Sequence, residues 1–156
     1  MPVVSLLVLD VDGVLTDGRI YYGPKGEALQ SFHVRDGHGI RQVLAAGITV
    51  MVISGRKSPG ARRRCRELGI KHIYQGVNAK LECLLRYCRQ QKIALAQVAA
   101  IGDDSPDAPL LAAVGHPFAV ADAHADAKRA ANRRTRARGG EAAVREVCDW
   151  LLKSRG

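Results

Sequence analysis

The chain has 156 residues, nearly half of them apolar, and a formal net charge of +9. That length suits one domain with a real core, and the apolar content excludes a disordered chain. No run reaches the roughly 20 apolar residues that a membrane span needs, and no basic segment followed by an apolar stretch marks a secretory signal. The cysteines Cys65, Cys83, Cys88 and Cys148 form no CxxC pair and read as reduced thiols of a cytoplasmic protein. Arginines cluster at 62–64 with Arg66, and at 133–134 with Arg136 and Arg138. No aromatic residues are interleaved with them, so nucleic acid is not expected as a partner. A solvated helix face explains the first cluster, and a basic field equally attracts a small anionic substrate.

The first element is Leu6–Leu9, an apolar run that reads as a buried parallel strand. It ends in Asp10-Val11-Asp12-Gly13-Val14, so two carboxylates stand where a strand gives way to a loop. In an open α/β sheet that is the usual place for a ligand. A turn at Gly13 can aim both acids towards one point, where they repel unless a cation or a shared proton intervenes. Asp-Gly is also a common turn pair, so this segment alone leaves a plain solvated turn open.

A β-hairpin is expected next, as a flap over about 16–35. Its strands read at 19–22 and 29–34 around Gly23-Pro24-Lys25-Gly26. A two-stranded hairpin is marginal alone, and Tyr21, Tyr22 and Phe32 point to burial against the domain or another subunit. A helix follows Asp36, then a strand at Thr49–Ile53 running into Ser54-Gly55-Arg56-Lys57. Ser58-Pro59 and Ser105-Pro106 each place a capping serine before a proline suited to the first helical position. Gly47 and Gly69 stand where helices should stop in the left-handed cap. A strand at His72–Tyr74 leads through Gly76 to Lys80, near the start of a helix after Asn78. A strand at 98–101 runs into Gly102-Asp103-Asp104-Ser105-Pro106-Asp107, a helix follows Ser105, and a strand lies at 118–120. Helices after His124 and over about 141–153 complete the chain. This alternation predicts an α/β fold: a three-layer, Rossmann-like parallel sheet with helices on both faces, and a β-hairpin inserted after the first strand. No repeat or long linker interrupts it, so residues 1–156 read as a single domain.

The acidic loop, Ser54-Gly55-Arg56, Lys80 and the second acidic loop all follow parallel strands, so they can converge on one sheet edge. Hard carboxylate oxygens without thiolate or imidazole partners suit Mg²⁺. A lysine, a hydroxyl and close backbone amides suit a phosphate. A carboxylate beside Mg²⁺ stays ionised and can attack phosphorus, because the cation screens the repulsion between two anions. Taken singly, Lys80 reads as a solvated helix lysine and Asp107 as a first-turn acid complementing the helix dipole.

In order and spacing, Asp10-Val11-Asp12-Gly13, Ser54-Gly55-Arg56, Lys80 and Gly102-Asp103-Asp104-x-x-Asp107 resemble the four motifs of the haloacid dehalogenase superfamily of phosphatases. Residues 10–18, 32–37, 54–57, 74–76 and 120–124 extend the likeness to its capless branch, the family acting on 3-deoxy-D-manno-octulosonate 8-phosphate. The resemblance implies Mg²⁺-dependent hydrolysis of that ester through an aspartyl-phosphate, in lipopolysaccharide biosynthesis. It implies Asp10 as nucleophile and Asp12 as the acid, then base, that serves the leaving alcohol and the water. Gly13, Ser54, Gly55 and Lys80 are implied as phosphate-binding, and Asp107 as the residue that orients Lys80. The implied metal set is Asp10, Asp12 through its carbonyl, Asp103, and Asp104 holding a water of the metal. Arg56, Arg35 and His33 are implied as substrate-binding, Arg56 through the sugar carboxylate.

The same resemblance implies a homotetramer in which hairpins close a central barrel and a neighbour completes each site. A glutamate at position 56 would instead suggest nine-carbon, sialic-acid-like 9-phosphates, which remain the alternative substrates. A non-catalytic scaffold protein is the alternative of another class. The segment Gly139-Gly140-Glu141-Ala142-Ala143 has alanine where the family pattern has a third glycine, which favours helix there. The sequence stops at Gly156, soon after Trp150, and no lid built from a long tail is expected.

Overall fold

The computed structural model describes residues 3–156. In chain order, β1 (Leu6–Leu9) is followed by a hairpin of β2 (Tyr21–Gly23) and β3 (Gly26–Leu29). Then come α1 (Val34–Ala45), β4 (Thr49–Ile53), α2 (Pro59–Glu67), β5 (His72–Tyr74) and α3 (Lys80–Gln91). The chain ends through β6 (Val98–Gly102), α4 (Ala108–Ala113), β7 (His116–Ala119), α5 (Ala125–Ala130), β8 (Arg133–Arg134) and α6 (Ala143–Lys153).

Six strands form one parallel sheet in the order β5-β4-β1-β6-β7-β8. Every residue of β1 and β6 is buried, as strands covered on both faces must be. α1 packs along α6, and Gly37 of α1 lies against Arg64 of α2. On the other face, α4 packs against α3 and α5. The expected three-layer, Rossmann-like architecture is therefore present. From β1 the chain lays β4 and β5 to one side, then crosses over and lays β6, β7 and β8 to the other. The carboxyl ends of β1 and β6 thus flank the point where the winding reverses, where such sheets bind ligands.

Local chemistry sets most boundaries as expected. Ser58 Oγ accepts from the Ala61 amide at 3.2 Å with Pro59 in the first turn. Gly47 and Gly69 hold φ of +80° and +89° beyond α1 and α2. Of the α2 arginines, Arg63 and Arg66 are exposed, with Arg63 3.2 Å from Glu67, while Arg62 and Arg64 are half-buried.

Six features differ. The second hairpin strand is Gly26–Leu29, so Gly23 and Gly26 belong to the strands and only Pro24-Lys25 turn. A register shift between Tyr21 and Tyr22 ends the regular pairing, and Val34 joins a helix instead. His33 caps that helix, its Nδ1 accepting from the Arg35 amide at 3.1 Å. Asp36, expected before the helix, lies inside it. It is 2% exposed and accepts from the Arg145 amide at 2.9 Å, tying α1 to α6. Ahead of α4, Asp104 caps a short 3-10 turn, Ser105–Asp107, accepting from the Ser105 amide at 2.7 Å; the Ser105 hydroxyl instead donates to Asp126. β7 begins two residues earlier than expected, and β8 was not foreseen. β8 is only two charged residues, with the Arg133 guanidinium 4.7 Å from the Trp150 ring centre, a cation–π contact that ties the sheet edge to α6. Finally, Ala142 does not extend the last helix. It adopts φ +73° and α6 starts at Ala143.

Candidate active site

Asp10 leaves β1 almost buried, at 8% exposure. Its Oδ1 accepts from the Val11 amide at 2.8 Å and lies 3.0 Å from Lys80 Nζ. Lys80 opens α3 and is 6% exposed, with Nζ 2.7 Å from Asp107 Oδ1. A cation in the first turn opposes the helix dipole, so this lysine is held by the two carboxylates rather than by its helix. Asp107 Oδ2 accepts from the amides of Asp103 and Asp104 at 2.9 and 3.3 Å. One carboxylate thereby fixes Lys80 to the loop that follows β6.

The turn after Asp10 closes by a bond from the Thr16 amide to the Val11 carbonyl, 3.1 Å. Gly13 takes φ +82°, and a Cβ there would stand 1.9 Å from Asp103 Oδ2. Glycine is required because the second acidic loop lies directly against this backbone. Thr16 Oγ1 accepts from the amides of Gly13 and Gly18 and braces the turn.

Asp12 lines the same cavity as Asp10 but has other partners. Arg56 Nε and Nη2 donate to its two oxygens, each at 2.9 Å, and Gln30 Nε2 donates to Oδ1 at 2.7 Å. Arg56 Nη1 donates to Glu27 on the hairpin at 2.9 Å, and the Ser58 hydroxyl donates to the other Glu27 oxygen at 2.8 Å. The two acids of the first loop therefore share a cavity without meeting at one point.

Burial pushes the Asp10 carboxyl above its usual range, helped by the charge of Asp107 and opposed by Lys80. Burial likewise raises Asp103, with repulsion from Asp10 and Asp107 adding to it. Burial alone would lower the Lys80 ammonium, but Asp10 and Asp107 outweigh it and hold it above its ordinary value. Burial also works to raise Asp12, yet hydrogen bonds from Arg56 and Gln30 and the charge of Arg56 bring it below the usual carboxylate range.

The cavity of about 420 Å³ is lined by Asp10, Asp12, Asp103, Asp104 and Asp107 against two cations, Arg56 and Lys80. Carboxylate oxygens of Asp10, Asp103 and Asp107 lie within 4.8 Å of one another. Excess negative charge, oxygen-only donors and mutual repulsion fit a hard divalent cation. Asp107 is already committed to Lys80 and two amides, which leaves Asp10 and Asp103 as the carboxylates best placed for a metal. The Asp104 carboxylate is exposed and bonds to Ser105.

Ser54 is buried, its Oγ accepting from the Arg56 amide at 3.3 Å, and Gly55 lines the cavity. His33 and Arg35 stand apart from it, one capping α1 and the other exposed on its first turn. Gly18, Val77, Asn78 and Pro106 also line the cavity, unanticipated from the sequence. Glu27 and Gln30 do not line it but bond to Arg56 and Asp12; their only sequence signal is that the hairpin follows the acidic loop directly.

Residues 73–144 match the haloacid dehalogenase-like hydrolases. Over 153 residues the chain is 49% identical to the 3-deoxy-D-manno-octulosonate 8-phosphate phosphatase KdsC of Escherichia coli K12, spanning 98% of this chain and 81% of that one. The chain belongs to the KdsC family of the haloacid dehalogenase superfamily. A solved KdsC phosphatase from Moraxella catarrhalis, in complex with magnesium ion, phosphate ion and KDO, superposes with a TM-score of 0.94 at 38% identity, covering 97% of this chain and 87% of that chain. The cobalt-bound form of the Haemophilus influenzae family member gives a TM-score of 0.94 at 45% identity, covering 99% and 90%.

Proposed function

We propose that this KdsC family member hydrolyses 3-deoxy-D-manno-octulosonate 8-phosphate to the free sugar acid and phosphate, with Mg²⁺ as cofactor, in lipopolysaccharide biosynthesis. The observation that carries the reading is the buried Asp10–Lys80–Asp107 arrangement against Asp103, with Arg56 at the same cavity.

Val11 and Lys80 hold Asp10 Oδ1, which leaves Oδ2 free to attack phosphorus. The bond from phosphorus to the sugar oxygen breaks as the aspartyl-phosphate forms, and Asp12 gives that oxygen its proton. Asp12 then takes a proton from water, which attacks the phosphorus and releases Asp10 and phosphate. Lys80, the Ser54 hydroxyl and the backbone at Gly13 and Gly55 hold the phosphoryl oxygens, and Asp107 keeps Lys80 in place. Asp10, Asp103, the Asp12 carbonyl and Asp104 are the groups that would hold Mg²⁺, which supplies screening of the charge on the phosphoryl group.

Arg56 suits the sugar carboxylate by its planar fork. The chain acts as one domain within a homotetramer in the cytoplasm. Support for assembly comes from the hairpin, whose Tyr22 and Leu29 are 72% and 57% exposed in the single chain. His33 and Arg35, apart from their own cavity, then serve a neighbour's.

Phosphate release from the eight-carbon 8-phosphate and from a nine-carbon sialic-acid-like 9-phosphate tests the reading. The expected result is a higher kcat/KM for the former, loss of activity with a chelator, and restoration by Mg²⁺ more than by Ca²⁺. Asp10→Asn should keep the fold and lose nearly all turnover. Wild-type turnover in that variant would refute the covalent route. Equal efficiency on both sugars would remove the substrate assignment.

A further inference from the structure

In this chain the general acid is not free. Both oxygens of Asp12 are bonded to the Arg56 guanidinium in a parallel fork, and Gln30 adds a third donor. A carboxylate so engaged is turned to the guanidinium and not to the oxygen of a departing alcohol. Arg56 in turn is anchored by Glu27, itself bonded to Ser58 at the start of α2. The hairpin thus reaches the chain's own site through two polar side chains, 18 residues or more along the sequence from their partners.

We propose that the Arg56–Asp12 fork is a latch that the substrate's own carboxylate opens. This rests on the phosphatase reading above and adds to it a reason for the choice of sugar acids. An incoming carboxylate takes the two-bond fork of Arg56, exchanging one charge-assisted pair for another of the same geometry. Asp12, no longer paired to the guanidinium, takes up a proton from solvent and turns to the leaving oxygen, while Glu27 retains Arg56 through Nη1 and Gln30 steadies the released Asp12. A phosphate ester without a carboxylate has nothing to offer Arg56, so Asp12 stays latched. Arg56 and Lys80 line one cavity, so a single ligand can span carboxylate and phosphoryl subsites. In this scheme Arg56 determines specificity twice, by binding the right substrate and by withholding the acid from the wrong one. Glu27 and Gln30 are positioning residues.

The test compares two esters that lack a carboxylate. Phenyl phosphate has a poor leaving group and needs a proton from Asp12; 4-nitrophenyl phosphate has a good one and scarcely does. The Mg²⁺-loaded enzyme and its Arg56→Ala and Arg56→Lys variants are assayed on both and on the sugar-acid 8-phosphate. Opening the latch by Arg56→Ala should raise kcat/KM for phenyl phosphate several-fold and narrow its gap from 4-nitrophenyl phosphate. The same variant should lose at least tenfold on the sugar acid. Arg56→Lys keeps a charge but cannot form the fork, so it should show the same narrowing with a smaller loss on the sugar acid. A parallel change on both aryl esters, or no change, overturns the latch, because a residue that only binds carboxylate has no effect on leaving-group dependence. A wild-type enzyme inactive on all three esters would instead bring down the phosphatase reading itself.

Discussion

Gly139 lies against Gly13 so closely that a Cβ on Gly139 would stand 1.7 Å from the Gly13 carbonyl oxygen. The Gly139 amide donates to Asp122 at 3.0 Å, and the Gly140 amide donates to the Val14 carbonyl at 3.0 Å. A segment near the C-terminus therefore clamps the turn that carries Asp10 and Asp12. Gly139→Ala must push that turn aside. A shift of about 1 Å in a catalytic group can cost on the order of 100-fold, so kcat/KM should fall by at least tenfold, with a lower melting temperature. Steady-state kinetics with thermal unfolding checks this, and an alanine variant with wild-type kinetics would show slack in the clamp.

The main sheet was legible because its strands are short apolar runs closed by acids, glycine or serine. The same feature exposed the site: Asp10, Ser54 and Asp103 each follow a strand, and only topology had to be added. What the sequence hid was long-range. Asp36 looks like a helix-starting acid, yet its partner is the amide of Arg145, 109 residues away. Gln30 and Glu27 sit on a short, exposed hairpin with no apolar period to mark an inward side. β8 has two arginines and no pattern, and it forms because Phe118 and Trp150 offer Arg133 their ring faces.

Ala142 carries a positive φ of +73° just before α6. An L-residue with a Cβ pays roughly 1–2 kcal/mol there, of which glycine's extra chain entropy cancels part. Ala142→Gly should therefore stabilise the fold by about 0.5–1 kcal/mol. For a chain of this size that is a rise of roughly 1–4 °C in Tm. Differential scanning calorimetry reads it directly, and a lower Tm would mean that the strain is relieved elsewhere.

Asp36 gives a pH dependence of definite sign. Burial pushes its carboxyl up to about 6, against the bonds from Arg145 and Val144 and the charge of His33. Among the described residues its buried Oδ2 has no hydrogen-bond partner. The folded state thus binds this proton more tightly than the unfolded chain, whose value is about 4. The stabilisation is complete below pH 4 and is lost as pH rises through about 6, with a slope no steeper than about 1.4 kcal/mol per pH unit. Asp36→Asn keeps an oxygen for the Arg145 amide and carries no charge. Denaturant titrations should show the variant gaining on the parent between pH 4 and 7. A difference that stays flat across that range would remove Asp36 as the cause.

The hairpin supplies the last prediction. β2 and β3 form a two-stranded sheet of their own, with Tyr21, Tyr22 and Leu29 exposed on it. Such a sheet is marginal in water, and its unpaired edges invite pairing. Closing four hairpins about one axis would pair the edges and cover these side chains. Light scattering at micromolar concentration should therefore give the mass of a tetramer, and a monomer there would end the idea. Leu29→Glu would place a charge in that contact, and the mass should fall. Activity on the sugar acid should fall with it, because His33 and Arg35 lie at the hairpin base and away from their own cavity. Dissociation with unchanged kcat/KM would show that Glu27, Gln30 and Arg56 of one chain are sufficient. The tetramer would then stand as an assembly, and His33 and Arg35 would leave the list of substrate-binding residues.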